Sequence, residues 1–140
     1  MADRLRLAAC CPLFFISFAY GPEVGMLAGF AYSLMNLVMA PYILHPVQVL
    51  FDYPLPFMAL GLAGCFPRHH MAGITAAVAV RLFFHFLSGV VFFGSYAPAG
   101  TSIYLYSFVT NLTYLLPNLV ICLVFYRLLP VERFLSLMKR

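Results

Sequence analysis

Charge is scarce in this sequence, and tryptophan is absent. Of the 140 residues only 9% are charged, 64% are hydrophobic, and the mean hydropathy is +0.98. A soluble globular domain carries about 25% charged residues, so the composition excludes that class. Runs of about 17–25 apolar residues are typical of membrane spans. We therefore expect an all-α, polytopic membrane protein with about five transmembrane helices, forming a single integral-membrane domain over residues 1–140.

The sequence also lacks the motifs of several functional classes. It has no Ser–His arrangement typical of hydrolases and no glycine-rich phosphate loop. The net charge of +4 is spread over termini and loops, which makes no nucleic-acid-binding patch. The cysteines form no CxxC pair, and we interpret them as small buried apolar residues. They are Cys10, Cys11, Cys65 and Cys122. We therefore predict that the protein is not an enzyme, holds no metal or cofactor, and binds no nucleic acid.

Five apolar runs define the predicted helices, at about residues 7–20, 24–40, 46–66, 71–93 and 103–129. The first run is about 21 Å long as a helix, which is shorter than the ~30 Å hydrocarbon core. We interpret it as a short or tilted span, as the end of a longer helix or, in third place, as a signal peptide. A turn is predicted at residues 21–25, and Pro54 and Pro56 are expected to kink the third helix.

A few polar side chains lie inside these apolar runs and are the first candidates for a functional site. Asp52 is the only acidic residue placed within a run, and Asn111 lies two turns into the last helix. Arg81 and His85 lie one helical turn apart. Such groups are costly in a membrane helix and tend to face an interior cavity or a partner. A structural alternative is that Asp52 only ties helices together through Arg81.

The placement of lysine and arginine predicts the orientation. Basic residues fall at one end of the predicted helices or near it, namely Arg68, Arg127, Arg133, Lys139 and Arg140. The loops at residues 41–46 and 94–100 hold neither lysine nor arginine. The positive-inside rule therefore makes the basic end, with the C-terminus, cytoplasmic. Arg4 and Arg6 would then lie outside, against the rule.

This topology places three polar residues from three helices, Asp52, His85 and Asn111, about 10–15 Å below the outer helix ends. Aromatic residues lie around or above that depth, namely Tyr42, Tyr53, Phe93, Tyr96 and Tyr106. A carboxylate, an imidazole, an amide and several aromatic faces suit a flat cationic or heteroaromatic solute. We therefore predict a small-molecule site that opens to the outside.

Two stretches carry a resemblance to a known family. They are HPVQVLFDYPLPFMALGLAG and RLFFHFLSGVVFFGSYAPAGTSIYLYSFVTN. They resemble the energy-coupled thiamine transporter family, ThiT, whose members are substrate-binding S components of energy-coupling-factor importers. The resemblance covers residues 11–129 and implies a six-helix fold, of which this chain offers five helices. It begins at the family's second helix, so the first helix and the lid-bearing loop after it are not matched.

The resemblance also implies which residues bind substrate. They are Tyr42, Asp52, Tyr53, His85, Phe93, Tyr106 and Asn111. Arg81 and Gly89 would support them. Asp52 stands where some relatives have Glu, and Phe93 stands where some have Trp. Each replacement keeps the chemical type, acidic in the first case and aromatic in the second.

The function implied by the resemblance is high-affinity thiamine binding in the plasma membrane of a prokaryote. A transmembrane coupling subunit and two ATPase subunits would supply the energy. One alternative is an S component for another vitamin or precursor. A second is a membrane structural or assembly protein, in which case Tyr106 and Asn111 on the outer lip would have no role.

We also expect the chain to start downstream of the natural start or to be a shortened form. A preceding helix would then cover Gly25 and Gly29, which otherwise meet lipid.

Overall fold

The computed structural model describes residues 10–139, and every regular element in that range is helical. The elements are α1 (Cys10–Tyr20), α2 (Pro22–Met39), α3 (Pro46–Asp52), α4 (Pro54–Ala59), a 3₁₀ helix (Leu60–Cys65), α5 (His70–Phe92), a one-turn 3₁₀ helix (Gly94–Tyr96), α6 (Ile103–Leu128) and α7 (Val131–Met138). The prediction of an all-α fold is confirmed. The start of the first predicted run, with Arg4 and Arg6, lies outside the described residues, as does Arg140.

Three segments are long and apolar enough to cross a membrane, namely Pro46–Cys65, α5 and α6. The first of these comprises α3, α4 and the 3₁₀ helix that follows. α1 is a shorter apolar helix, and the 18 residues of α2 are about 27 Å long. Each of the five predicted runs therefore corresponds to a helical segment.

The connection between α1 and α2 is tighter than the sequence predicts. Only Gly21 leaves the helical conformation, with a φ of 94°, and α2 begins directly at Pro22. Proline is favoured at the first helical position, because its missing N–H has no helical partner there. The predicted five-residue turn at residues 21–25 is therefore wrong, and Gly25 lies inside α2.

The third predicted helix is broken where its prolines indicate a kink. α3 ends at Asp52, Tyr53 has a φ of −113° and a ψ of −79°, and α4 begins at Pro54. Proline cannot donate to the preceding turn, so the helix restarts there. The break lies at Tyr53 rather than at Pro56, and it places Asp52 at a helix end.

Small residues bring α1, α2 and the broken third segment close together. A Cβ atom at Gly25 would overlap Ser17, and one at Gly29 would overlap the carbonyl group of Phe57. The Ser17 hydroxyl donates a 2.5 Å hydrogen bond to the Gly61 carbonyl oxygen. Gly25 and Gly29 are buried, so the expectation that they meet lipid is wrong. They pack against other helices of the same chain.

The apolar core lies where α1 packs against α5 and α6. Phe14 and Phe18 meet the Tyr126 ring edge-on, and Phe15 stacks on it at 4.7 Å between centroids. Three of the four cysteines are buried free thiols, as the sequence predicts. Cys65 differs, because it is exposed at the end of the 3₁₀ helix.

Candidate functional site

A cavity of about 420 Å³ lies between the ends of α2, α3, α5 and α6 that face the loop at residues 40–45. It brings together every candidate residue from the sequence. These are Tyr42, Asp52, Tyr53, Arg81, His85, Gly89, Phe93, Tyr106 and Asn111. The shared cavity agrees with the prediction that they form one site, and their role in binding stays a prediction.

Asp52 and His85 form the polar centre of the cavity. The helix break at Tyr53 leaves the Asp52 carboxylate at the end of α3, where it meets α5. Asp52 Oδ1 lies 3.5 Å from His85 Nδ1. Its other oxygen, Oδ2, accepts a 2.5 Å hydrogen bond from Gln48 Nε2. Both side chains are mostly buried, so the carboxylate is held by protein groups at the cavity wall.

Arg81 lies beneath His85 and is almost fully buried. Its Nη1 donates to Cys10 Sγ at 3.0 Å, its Nε donates to His85 Nε2 at 3.5 Å, and its guanidinium lies 4.5 Å from the Phe57 ring centroid. Within residues 10–139 the ion pairs are His85–Asp52 and His70–Glu132. Arg81 has no carboxylate partner in that range, so the alternative in which Asp52 ties helices through Arg81 is wrong.

The position of Arg81 determines which nitrogen of His85 carries the hydrogen. A guanidinium N–H can only donate, so His85 Nε2 is the acceptor. This hydrogen-bond pattern assigns the imidazole hydrogen to Nδ1, facing Asp52. The ring therefore separates the buried cation from the carboxylate. Within residues 10–139, no arginine pairs with the Asp52 carboxylate at the cavity.

Aromatic side chains form the outer end of the cavity. Phe93 follows the last turn of α5, and the Tyr42 ring stacks on it at 5.9 Å with an 18° interplanar angle. The ring centroids of Tyr96 and Phe93 lie 6.1 Å apart. A hydrogen bond between the side chains of Tyr42 and Tyr96 raises the pKa of the Tyr42 hydroxyl group. The Tyr53 hydroxyl accepts from the Tyr42 N–H at 3.1 Å and donates to the Ala40 carbonyl oxygen at 3.0 Å. These contacts hold the loop at residues 40–45 beside the cavity.

The remaining wall is formed where α5 and α6 pack closely. A Cβ atom at Gly89 would overlap the Ser107 hydroxyl, so the contact requires glycine. Asn111 Nδ2 donates to the His85 carbonyl oxygen at 3.2 Å and to the Ser107 carbonyl oxygen at 2.8 Å. Within the described range no group donates to Asn111 Oδ1. That oxygen is the acceptor that Asn111 can offer to a ligand.

The sequence analysis missed several residues that line this cavity. They are Asn36, Gln48, Phe57, Ser107, Thr110 and Tyr114. Gln48 is the clearest omission, because it is fully buried and bonds to Asp52. Its position four residues before Asp52 was a usable signal, since side chains at that spacing share one helix face. Phe57 and Ser107 carry no comparable signal in an apolar run.

Comparison with known proteins places these features in a family. The sequence model described as "Thiamine transporter protein (Thia_YuaJ)" matches residues 3–137. The chain is 35% identical to the thiamine transporter ThiT of Bacillus subtilis, over 79% of this chain and 67% of that protein. It is 32% identical to the ThiT of Lacticaseibacillus paracasei, over 60% of this chain and 52% of that protein. The chain thus spans about two thirds and about half of these relatives.

A solved structure shares the fold. The structure of ThiT from Listeria monocytogenes superposes with a TM-score of 0.81 at 23% sequence identity. The match covers 91% of this chain and 79% of the other. The chain therefore shares the fold of that structure.

Proposed function

The chain belongs to the thiamine transporter protein family, and from that premise we propose that it binds thiamine as the S component of an energy-coupling-factor importer. It is a multi-pass membrane protein. The observation that carries the proposal is the cavity itself. One carboxylate, one imidazole, the amide of Asn111 and several aromatic faces meet in about 420 Å³.

The chemistry of the cavity matches the chemistry of thiamine. Thiamine joins an aminopyrimidine to a positively charged thiazolium ring. Phe93 and Tyr42 offer ring faces for stacking and for cation–π contact. The Asp52 oxygens supply negative charge that Arg81 does not neutralise. Asn111 Oδ1 is an acceptor suited to the exocyclic amino group of the pyrimidine. These groups come from separate helices and loops, so the folded chain is needed to assemble them.

We propose that the cavity opens to the outside of a prokaryotic plasma membrane and that the C-terminus is cytoplasmic. The described basic residues Arg68, Arg127, Arg133 and Lys139 lie in or beside the helix ends that point away from the cavity. Basic residues favour the cytoplasmic side of a membrane protein. The chain has no nucleotide-binding motif, so a transmembrane coupling subunit and two ATPase subunits would supply the energy for transport.

Tyrosine fluorescence tests the binding function directly. The chain has nine tyrosines and no tryptophan, and five tyrosines line the cavity. Titration of the purified protein with thiamine in detergent should give saturable quenching. A second heterocyclic vitamin, riboflavin, serves as the control and should not compete with thiamine for binding. A response to riboflavin alone would favour an S component for another vitamin, and no response to either would favour a structural protein.

Transport requires a separate test, because binding alone does not show coupling. Cells that express this chain with the coupling subunit and the ATPases should accumulate labelled thiamine. Cells that express the chain without that module should bind thiamine but not accumulate it. Equal accumulation with and without the module would contradict the proposed partners.

A further inference from the structure

A second cavity, of about 490 Å³, lies at the opposite ends of α5 and α6 from the first. The loop before α5, the first turn of α5 and the last turn of α6 line it. The lining residues are Arg68, His69, His70, Met71, Ala72, Tyr126 and Arg127. None of them lines the candidate thiamine site. The proposed function leaves this cavity without a role.

The two arginines of the cavity have no acidic partner among the described residues. Arg68 and Arg127 take part in no ion pair within residues 10–139. In the described part of the chain, the ion pair that involves the lining joins His70 Nδ1 to Glu132 at 3.8 Å, and the Glu132 side chain is 88% exposed. Two guanidinium groups therefore face one cleft without an acidic partner in the described part of the chain.

The start of α5 adds further donors to the same cleft. The 23-residue helix begins at His70, and His69 provides no side-chain cap. The first backbone hydrogen bond of the helix runs from Gly73 N–H to the His69 carbonyl oxygen. The N–H groups of His70, Met71 and Ala72 therefore have no helical acceptor. Unpaired N–H groups at a helix start favour an anion, and here they accompany two arginines.

Exposed apolar side chains surround the cleft, which points to an amphiphilic ligand. Leu128, directly after Arg127, is 78% exposed. Phe66 and Met71 are exposed beside the loop that carries Arg68. The following helix, α7, also exposes Phe134 and other apolar residues. In a bilayer these side chains would contact acyl chains, so an anion bound in the cleft would lie directly beside lipid, as the headgroup of a phospholipid does.

We propose that this cleft binds the phosphate headgroup of an anionic phospholipid. Arg68, Arg127 and the first N–H groups of α5 would hold the phosphate oxygens, because guanidinium groups match phosphate geometry. Basic pockets between transmembrane helices on the cytoplasmic side bind anionic headgroups, and the cytoplasmic leaflet contains such lipids. The proposal rests on the proposed orientation of the chain but not on thiamine binding, since the two cavities share no residue.

Native mass spectrometry of the purified protein tests the assignment. The protein is titrated with phosphatidylglycerol or with phosphatidylcholine, and the bound lipid is counted. We expect preferential retention of phosphatidylglycerol by the wild type. The double variant Arg68→Gln/Arg127→Gln should lose about fivefold in affinity for each arginine removed. The control Arg133→Gln/Lys139→Gln removes the same charge outside the cavity and should retain the preference.

Two further measurements, on a charge-conserving variant and with inorganic phosphate as competitor, separate a lipid site from other causes. The pair Arg68→Lys/Arg127→Lys keeps the charge and should keep part of the preference, even if the glutamine pair fails to fold. Inorganic phosphate should not displace the lipid. Equal losses in the cavity pair and in the control pair would overturn the proposal, because they would indicate a non-specific charge effect. Displacement by inorganic phosphate at the same concentration would also overturn it, in favour of a free-anion site.

Discussion

Gln48 and Asp52 lie one turn apart on α3, and the Gln48 side chain donates a 2.5 Å hydrogen bond to Asp52 Oδ2. The same amide group donates to the Tyr42 carbonyl oxygen at 3.3 Å, and its oxygen accepts from the Leu44 N–H at 3.1 Å. Gln48 is fully buried. One amide therefore connects the carboxylate of the site to the loop that carries Tyr42. We infer that Gln48 positions both.

Gln48→Met keeps the length of the side chain and removes its hydrogen bonds. We expect thiamine affinity to fall by about 1–3 kcal/mol, because Asp52 loses its donor and the loop loses its anchor. Calorimetric titration measures the change. Thr113→Val is a matched control, because its exposed hydroxyl bonds to the Val109 carbonyl oxygen away from the cavity. Unchanged affinity in Gln48→Met would contradict the positioning role.

Phe93 is expected to contribute a ring face to the bound ligand. Phe93→Ala should lower thiamine affinity by about 0.5–2 kcal/mol, because stacking and cation–π contact are both lost. Phe93→Trp should be tolerated or bind more tightly, since the indole ring is the stronger cation–π partner. Fluorescence titration of both variants measures these effects. A clear loss of binding in Phe93→Trp would show that the aromatic end of the cavity is not built as described.

Gly89 permits the close approach of α5 to α6. In Gly89→Ala the new methyl group would overlap Ser107 and press on Asn111 Nδ2, which lies 3.2 Å from the Cβ position. Overpacking of this kind costs about 1–3 kcal/mol. We expect a lower melting temperature and weaker thiamine binding. The double variant Gly89→Ala/Ser107→Gly removes the overlapping atoms, so it should recover part of the melting temperature and part of the thiamine affinity. A double variant no better than the single one would contradict this explanation.

Cys65 provides a test of orientation, because the other three cysteines are buried. It lies at the end of the 3₁₀ helix, directly before the loop that carries Arg68. A membrane-impermeant maleimide should label it in inside-out vesicles and not in intact cells. Cys65→Ser controls for labelling elsewhere. Labelling of intact cells that is lost in Cys65→Ser would place this end outside and reverse the proposed topology.

Much of the fold is predictable because apolar runs and prolines are local signals. The five runs correspond to helical segments, and Pro54 correctly indicates the break beside Asp52. The 3₁₀ geometry of Leu60–Cys65 was not predicted, since a run of small apolar residues is compatible with either helix type. The start of α2 was placed too late, because Gly25 serves close packing rather than a turn.

The grouping of Asp52, His85 and Asn111 in one cavity was predictable, because depth in the membrane and the resemblance agree for these residues. Partners that depend on tertiary packing were not. One alternative from the sequence paired Arg81 with Asp52, but Arg81 packs against Cys10 of α1 and donates to His85. The position of Cys10 depends on how α1 packs, and no local pattern in the sequence reports it.

Isothermal titration calorimetry with thiamine, on the wild type and on Asp52→Asn, tests the central claim most directly. The claim is that one cavity with an anionic Asp52 binds the cationic vitamin. It predicts one saturable site in the wild type and an affinity weakened by about 1–3 kcal/mol, roughly 5- to 150-fold, in Asp52→Asn. Melting temperatures of the two proteins serve as the stability control. No binding heat in the folded wild type, or equal affinities for the two proteins, would contradict the claim.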